Sequence, residues 1–256
     1  MRKSDDQAGN QNCADPIASK IVMAFLQARM GSTRLPGKVL MKMRGHSILE
    51  RAIRRLQAAP IVNDVAVLTT RRNEDDAIVA ECRRLNVRVY RGPDEDVLAR
   101  FCEASQKFLP DIIIRATADN PLIDIDSIER IVLALCSGGL DYCLEKDLPY
   151  GAATEAITVE ALARVNTLAK ESHHREHVTL YAREHPELFN LGILDPPEFL
   201  HHPEIRLTVD TAGDFAFVDQ LIRRMPETEH PLPLGEYLPV AKSILNEREC
   251  KGLADL

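Results

Sequence analysis

The sequence has no surplus of positive charge: 32 Lys and Arg stand against 39 Asp and Glu, a net charge of -7. That balance argues against an overall nucleic-acid-binding surface, which gains affinity when a basic face displaces counterions from phosphates. A small basic pocket for one phosphate ester is still allowed. No apolar run reaches the length that crosses a bilayer. Residues 1–20 lack the hydrophobic segment of a secretory signal. The six cysteines, Cys13, Cys82, Cys102, Cys136, Cys143 and Cys250, form no C-x-x-C pair and show no zinc-finger spacing to histidine. Scattered thiols in a chain this long fit a reducing compartment better than a disulfide framework. These absences predict a soluble cytoplasmic protein with neither a membrane nor a nucleic-acid partner.

What is present suits an ordinary globular domain, because 45% hydrophobic residues suffice for a core of normal size. At 256 residues the chain is one large domain, or one with a smaller lobe. Residues 1–20, rich in Asp, Asn, Gln, Ser and Ala, predict a disordered tail. Residues 21–256 form the domain. Ile21–Leu26 is continuously apolar, as in a strand buried on both faces of a parallel sheet. Ser47 and Glu50 have capping-box spacing, and Ile48, Leu49, Ala52, Ile53 and Leu56 share one helical face. The alternation repeats, with strands at Val65–Thr69, Val87–Tyr90 and Asp111–Ala116 and helices at Glu74–Leu85, Asp96–Phe108 and Ser127–Cys136. This predicts an α/β fold: three layers around a mostly parallel sheet. Ligands in such folds bind beyond the C-terminal ends of strands, which selects Gln27–Lys38, Thr69–Asn73 and Thr117–Asp124.

After Gly139 the rhythm changes, and a smaller lobe with a less regular sheet is expected at about 140–206. A strand is read at Asp141–Leu144, extended segments at Phe189–Leu194 and Ile205–Val209, and helices at Val159–Leu168 and His174–Glu184. Helices at Asp214–Arg223 and Leu234–Asn246 close the chain.

The strongest motif is QARMGSTRLPGK, Gln27 to Lys38. Its glycines let backbone N–H groups approach a phosphate. Arg29, Arg34 and Lys38 supply forked and point-charge contacts. Three cations on one short loop repel unless an anion sits among them, although an exposed turn of solvated charges would read the same way. A Walker loop is excluded, since Pro36 interrupts the run and Val39 replaces the magnesium-binding hydroxyl. A G-x-G-x-x-G fingerprint is also missing. Two further segments carry carboxylates at strand ends: RATADNPLID with Asp119, and TVDTAGDF with Asp210 and Asp214. Magnesium on a nucleotide takes one or two protein carboxylates. Asp214 also reads as a helix N-terminal residue, as do Asp124 and Asp126.

Together these motifs, over about residues 21–225, resemble the CMP-sugar synthetases, the CMP-Kdo and CMP-sialate cytidylyltransferases. The branch typified by spore coat polysaccharide biosynthesis protein F is the most similar. The resemblance implies a glycosyltransferase-A-like nucleotidyltransferase fold, CTP as donor, an anionic sugar as acceptor, Mg2+ as cofactor and a homodimer joined through the second lobe. It implies that Gln27, Ala28, Arg29, Gly31, Ser32, Arg34 and Lys38 bind the nucleotide, that Asp119 and Asp210 hold the metal, and that Arg29, Lys38, Asp119 and Asp210 carry catalysis. Thr70 and Arg71 are placed near the cytosine by strand-end logic and family analogy. GPDEDVLARF resembles a segment near the nucleoside or acceptor, which adds Arg100, although Asp96 and Arg100 at i, i+4 suit a simple ion pair. On the acceptor side stand Tyr150, Glu155, Arg175 and His177, of which Arg175 and His177 suit a carboxylate or phosphate. The branch has a Gly-Leu-Asp-Val-Glu type sequence where this chain has GAATE, so the sugar is left open. His173 and His177 share metal-ligand spacing, but Arg175 between them disfavours a cation. His201, His202 and His230 fall in proline-containing loops and read as surface residues. Two other activities fit the pattern less well. A glycosyltransferase of the same fold wants a compact D-x-D, and a non-catalytic nucleotide-binding regulator has no need of both aspartates.

Overall fold

A computed structural model describes Ile17 and residues 19–250. The tail expected at 1–20 therefore lies outside the described residues, apart from Ile17, Ser19 and Lys20. The sheet centres on β1 (Val22–Gln27), whose continuous apolar run is buried up to its last residue. Period-two alternation sends its side chains to two cores. Val22, Ala24 and Leu26 face Leu49 and Ile53 of α1 (Ile48–Ala58) and Ile128 and Ile131 of α4 (Ile125–Ser137). Met23 and Phe25 face Phe101 of α3 (Val97–Phe108) and Leu162 of α5 (Val159–Leu168). Burying a side chain such as Phe25 contributes about 1.5–3 kcal/mol.

The short pair β2 (Lys42–Met43) and β3 (His46–Ser47) leads into α1, whose N-cap Ser47 accepts from Glu50 N as its spacing predicts. The other parallel strands are β4 (Asp64–Thr70), β5 (Arg88–Gly92) and β6 (Ile112–Thr117), with α2 (Asp76–Arg84) between β4 and β5. The sheet continues through β7 (Tyr142–Glu145), β8 (Glu155–Thr158) and β9 (Leu191–Leu194) in the order β5-β4-β1-β6-β8-β7-β9. β8 runs antiparallel to both β6 and β7, and β9 runs parallel to β7. The segment at about 140–206 thus extends the main sheet. A third core joins α8 (Ala212–Arg224) and α9 (Leu234–Cys250), through Phe217, Leu221 and Leu238, to Leu207 and Val209.

One expectation is corrected. The helix read at His174–Glu184 is two short ones, α6 (Ser172–Glu176) and α7 (Leu180–Glu184), broken at His177 with φ -99 and ψ 56. The break lets Val178 and Thr179 both point inward, and the Thr179 hydroxyl donates to Glu155 Oε2 at 2.9 Å. Ile205–Val209 is extended as read, and it lies outside the sheet ladders, bridging two loops with Leu207 N on Tyr150 O at 2.8 Å and Val209 N on Asp119 O at 2.9 Å. β8 had no sequence counterpart, because its four residues show no long apolar run and pass directly into α5.

Candidate active site

The site forms where β1, β4 and β6 end. β1 is gripped on both sides there, by Ala28 N on Leu68 O at 3.0 Å and Ala118 N on Gln27 O at 2.9 Å. The cationic loop then folds back on itself. Met30 O accepts from Ser32 N at 2.8 Å and from Gly37 N at 3.1 Å. Gly37 takes the left-handed φ of 69° that this return needs. The chain emerges into a 3-10 turn that starts at Lys38.

Lys38 is 8% exposed, and its ammonium lies between two carboxylates: Nζ is 2.9 Å from Asp119 Oδ2 and 2.8 Å from Asp210 Oδ1. Arg34 Nη2 approaches Asp210 Oδ1 at 3.0 Å, and Arg206 Nη2 approaches its Oδ2 at 2.6 Å. Burial alone would raise the Asp210 carboxyl, but the Lys38 hydrogen bond and the charges of Lys38, Arg34 and Arg206 hold it below its usual range. Asp214 stands behind it as the carboxyl half of a capping box with Thr211, and it also accepts from Asp210 N at 2.9 Å. Its reading as a helix N-terminal residue is therefore correct.

Other nucleotide-loop residues take different positions. Arg29 and Gly31 are exposed, Ser32 is half-buried, and Arg34 projects into solvent. Gln27 Oε1 is buried without a partner. Thr70 is fully buried, and its hydroxyl donates to Asp75. Arg71 is exposed and lies 3.5 Å from Glu103. Arg100 is 1% exposed, with Nε and Nη1 lacking partners. The simple Asp96–Arg100 pair does not form. Asp96 caps α3 through Ala99 N at 2.8 Å and takes Arg175 instead, at 2.7 Å. Gly92 leaves room for the Arg100 stem, since a Cβ there would sit 2.8 Å from its Cγ.

Asp75 was not foreseen. It is fully buried, and its Oδ1 accepts from Met30 N at 2.7 Å while Oδ2 accepts from Thr70 N at 3.1 Å. Burial would raise this carboxyl, but hydrogen bonds from the Thr70 hydroxyl and from the Met30 and Thr70 amides hold it below the ordinary range. One side chain thus ties the root of the cationic loop to the end of β4. Its sequence signal, an acid just after a strand, reads equally well as a helix start.

Beside Asp119 and Asp210 lies a cavity of about 380 Å³, whose wall includes Asn120, Asp147, Tyr150 and Thr208. Tyr150 is 58% exposed, with the Arg206 guanidinium 4.8 Å from its ring centroid. Asp147 has φ 57, a strained value for a non-glycine residue. Glu145 also lines the wall and accepts from Arg130 Nη2 at 2.8 Å. Three residues expected on the acceptor side are not on this wall. Glu155 is occupied by Arg115 at 2.7 Å, Tyr142 Oη at 2.9 Å and Thr179. Arg175 is held by Asp96 and by Asn166 Oδ1 at 2.8 Å, and His177 is exposed at the α6–α7 break. Sequence reasoning weighted their charge, whereas the fold uses Glu155 and Arg175 as internal braces. A second cavity of about 760 Å³, walled by Arg51, Arg55 and Tyr237 among others, touches the same β6–α4 loop at Pro121 and Leu122.

Asp119 and Asp210 already converge on one cation, the Lys38 ammonium, and offer hard oxygen donors. That donor set fits magnesium.

An α/β sheet with a cationic loop beyond β1, Asp119 beyond β6 and Asp210 joined to both through Lys38 has the arrangement of a nucleotidyltransferase. Residues 23–228 match the family model described as cytidylyltransferase, and the chain belongs to that family. It is 34% identical to the spore coat polysaccharide biosynthesis protein SpsF of Bacillus subtilis, over 80% of this chain and 88% of that protein. It is 43% identical to an uncharacterized protein of Methanocaldococcus jannaschii, over 76% and 80%. A solved cytidylyltransferase from Leptospira borgpetersenii superposes with TM-score 0.82 at 29% identity, covering 89% of this chain and 96% of that one. Among the described residues no helix is long and apolar enough to cross a membrane.

Proposed function

We propose that the protein transfers CMP from CTP to an anionic sugar, with release of pyrophosphate and dependence on magnesium, for a surface polysaccharide or glycoconjugate. The observation that carries this reading is the Lys38 ammonium joining the phosphate loop to both Asp119 and Asp210 at 2.9 and 2.8 Å. An acceptor hydroxyl attacks the α-phosphorus in line, and the bond to the bridging oxygen of the leaving pyrophosphate breaks. Magnesium, when held by Asp119 and Asp210, supplies charge neutralisation at the α-phosphate and acidifies the acceptor hydroxyl. Lys38 moves from its two carboxylates onto the phosphates, where with Arg29 and Arg34 it stabilises the departing charge. Arg100, with two unpartnered nitrogens buried beside the loop, orients the nucleotide. The exposed Arg71, set by the buried Thr70 before it, meets the cytosine.

The acceptor occupies the cavity beside Asp119. Its carboxylates suit sugar hydroxyls, and Tyr150 offers a face for the ring. The acceptor's own negative group faces Arg206 behind Tyr150, a role the sequence reading gave to Arg175 and His177. The homodimer and cytoplasmic location belong to the same proposal. β9 ends the sheet in the second lobe, and Ile193 on it is 60% exposed, which suits pairing there. A pyrophosphate-release screen of each nucleoside triphosphate against sugar acids, sugar phosphates and neutral sugars tests the reading. Release with CTP and a sugar acid is expected, and CMP or UDP release from a finished nucleotide sugar would replace it.

A further inference from the structure

The break between α6 and α7 gathers a group that the sequence spacing did not foresee. His173 and His174 in the first turn of α6, and Glu184 at the end of α7, place potential ligand atoms within 4.8 Å of one another. His174 Nε2 is 2.7 Å from Glu184 Oε2, and the two adjacent imidazoles lie with centroids 3.9 Å apart. Consecutive helical residues ordinarily diverge by about 100°, so the two rings meet through their side-chain rotamers in the first turn of this five-residue helix. His174 is 7% exposed, and its Nδ1 is buried with no partner. Nε2 is thus the ring nitrogen that faces the cluster, and the buried Nδ1 is left without the hydrogen bond that a fixed imidazole usually makes there. Arg175, which made a cation unfavourable on sequence grounds, is turned away and tied to Asp96 and Asn166.

We propose that His173, His174 and Glu184 bind a divalent transition metal of the zinc class, separate from any nucleotide-bound magnesium and independent of the cytidylyl-transfer reading. Two imidazoles and one carboxylate are an intermediate donor set that suits zinc and leaves a coordination position for water. Tetrahedral ligation needs donor separations of about 3.3 Å. His173 and Glu184 are exposed and close the remaining gap by side-chain rotation. The ion would clamp two helices of five residues each, lengths that are marginal without cross-bracing. It would thereby fix the turn that carries Thr179 to Glu155.

The test titrates the full-length chain with Zn2+ alone, by calorimetry and thermal melting, and with Co2+ by visible absorption. One ion per chain is expected. At a hundredfold excess over the dissociation constant the melting temperature rises by about 5–10 °C. A d–d band of four- or five-coordinate cobalt accompanies binding. His173→Ala and Glu184→Gln, both at exposed positions, each remove a direct ligand and weaken zinc binding by more than about 100-fold, beyond the loss typical of an outer-shell partner, while the metal-free protein stays folded. No saturable binding overturns the proposal. So does binding that survives both substitutions, which would place the ion elsewhere, for example on thiols. Pyrophosphate release is not a readout here, so the two readings fail separately.

Discussion

Replacing Asp75 by Asn isolates the charge that fastens the phosphate loop. The two side chains have nearly the same shape, so packing is preserved and only the hydrogen-bond inventory changes. Oδ1 accepts from Met30 N and Oδ2 from Thr70 N, and both are backbone donors. The asparagine amide must present its NH2 to one of them. Turning it toward Thr70 is cheaper, because the Thr70 hydroxyl can reverse and accept, whereas Met30 N has no alternative there. The charge-assisted bond from Thr70 N is then lost, and the other two, to Met30 N and the Thr70 hydroxyl, fall to neutral strength. Bonds to charged groups contribute about 1.5–3 kcal/mol and neutral ones about 1 kcal/mol. The expected loss of stability is therefore roughly 4 kcal/mol, which for a domain of this size lowers the melting temperature by about 8–16 °C. The loop root also loosens, so KM for CTP rises about tenfold while kcat falls less. Urea unfolding followed by circular dichroism, with pyrophosphate release against CTP concentration, measures both quantities. An Asp75→Asn protein with the wild-type urea midpoint and unchanged KM would refute the claim that this carboxylate clamps the loop.

Lys38→Ala lowers pyrophosphate release by about 10²–10³-fold, while circular dichroism shows a folded protein; wild-type turnover removes Lys38 from its role. Gly151→Ala destabilises the protein and lowers kcat, because at φ +95 an added Cβ would sit 2.6 Å from Thr208 N and 2.9 Å from Asn120 Oδ1; thermal melting and steady-state kinetics check this, and a wild-type profile contradicts it. Acid lability follows from Asp75, Asp210, Asp214 and Glu155, whose carboxyls are held below their ordinary values of 3.8 and 4.5. Groups depressed in the folded state contribute stability that is complete above the unfolded values and lost as pH falls through the lower folded ones. The urea midpoint is therefore expected to lose none of this contribution above about pH 5 and to fall steeply below about pH 4.

The parallel half of the fold was legible because each unit announces itself locally. The apolar run of β1, the Ser47–Glu50 cap and the recurring helix faces each fix an element without reference to distant sequence. The strand-end rule then directed attention to the segments holding Lys38 and Asp119, and the structure brings both against Asp210. The antiparallel extension was harder to read. β8 is four residues long and is defined by its pairing with β6 and β7. Charged residues misled most where their partners lie far along the chain. Arg175 meets Asp96 across 79 positions, a relation that no window of sequence contains. Asp75 shows the converse: its local pattern is ordinary, and only the fold reveals that it joins two loops.

Lys38 reaches one aspartate 81 positions away and another 172 positions away. A ribosome that has made everything up to β9 has produced the phosphate loop and Asp119 but not Asp210. No amino-terminal fragment ending before that point can complete the centre, however well its strands have paired. If the proposed activity holds, the nascent polypeptide stays inert until Asp210 has been added, and nucleotide turnover would report that synthesis has passed that residue.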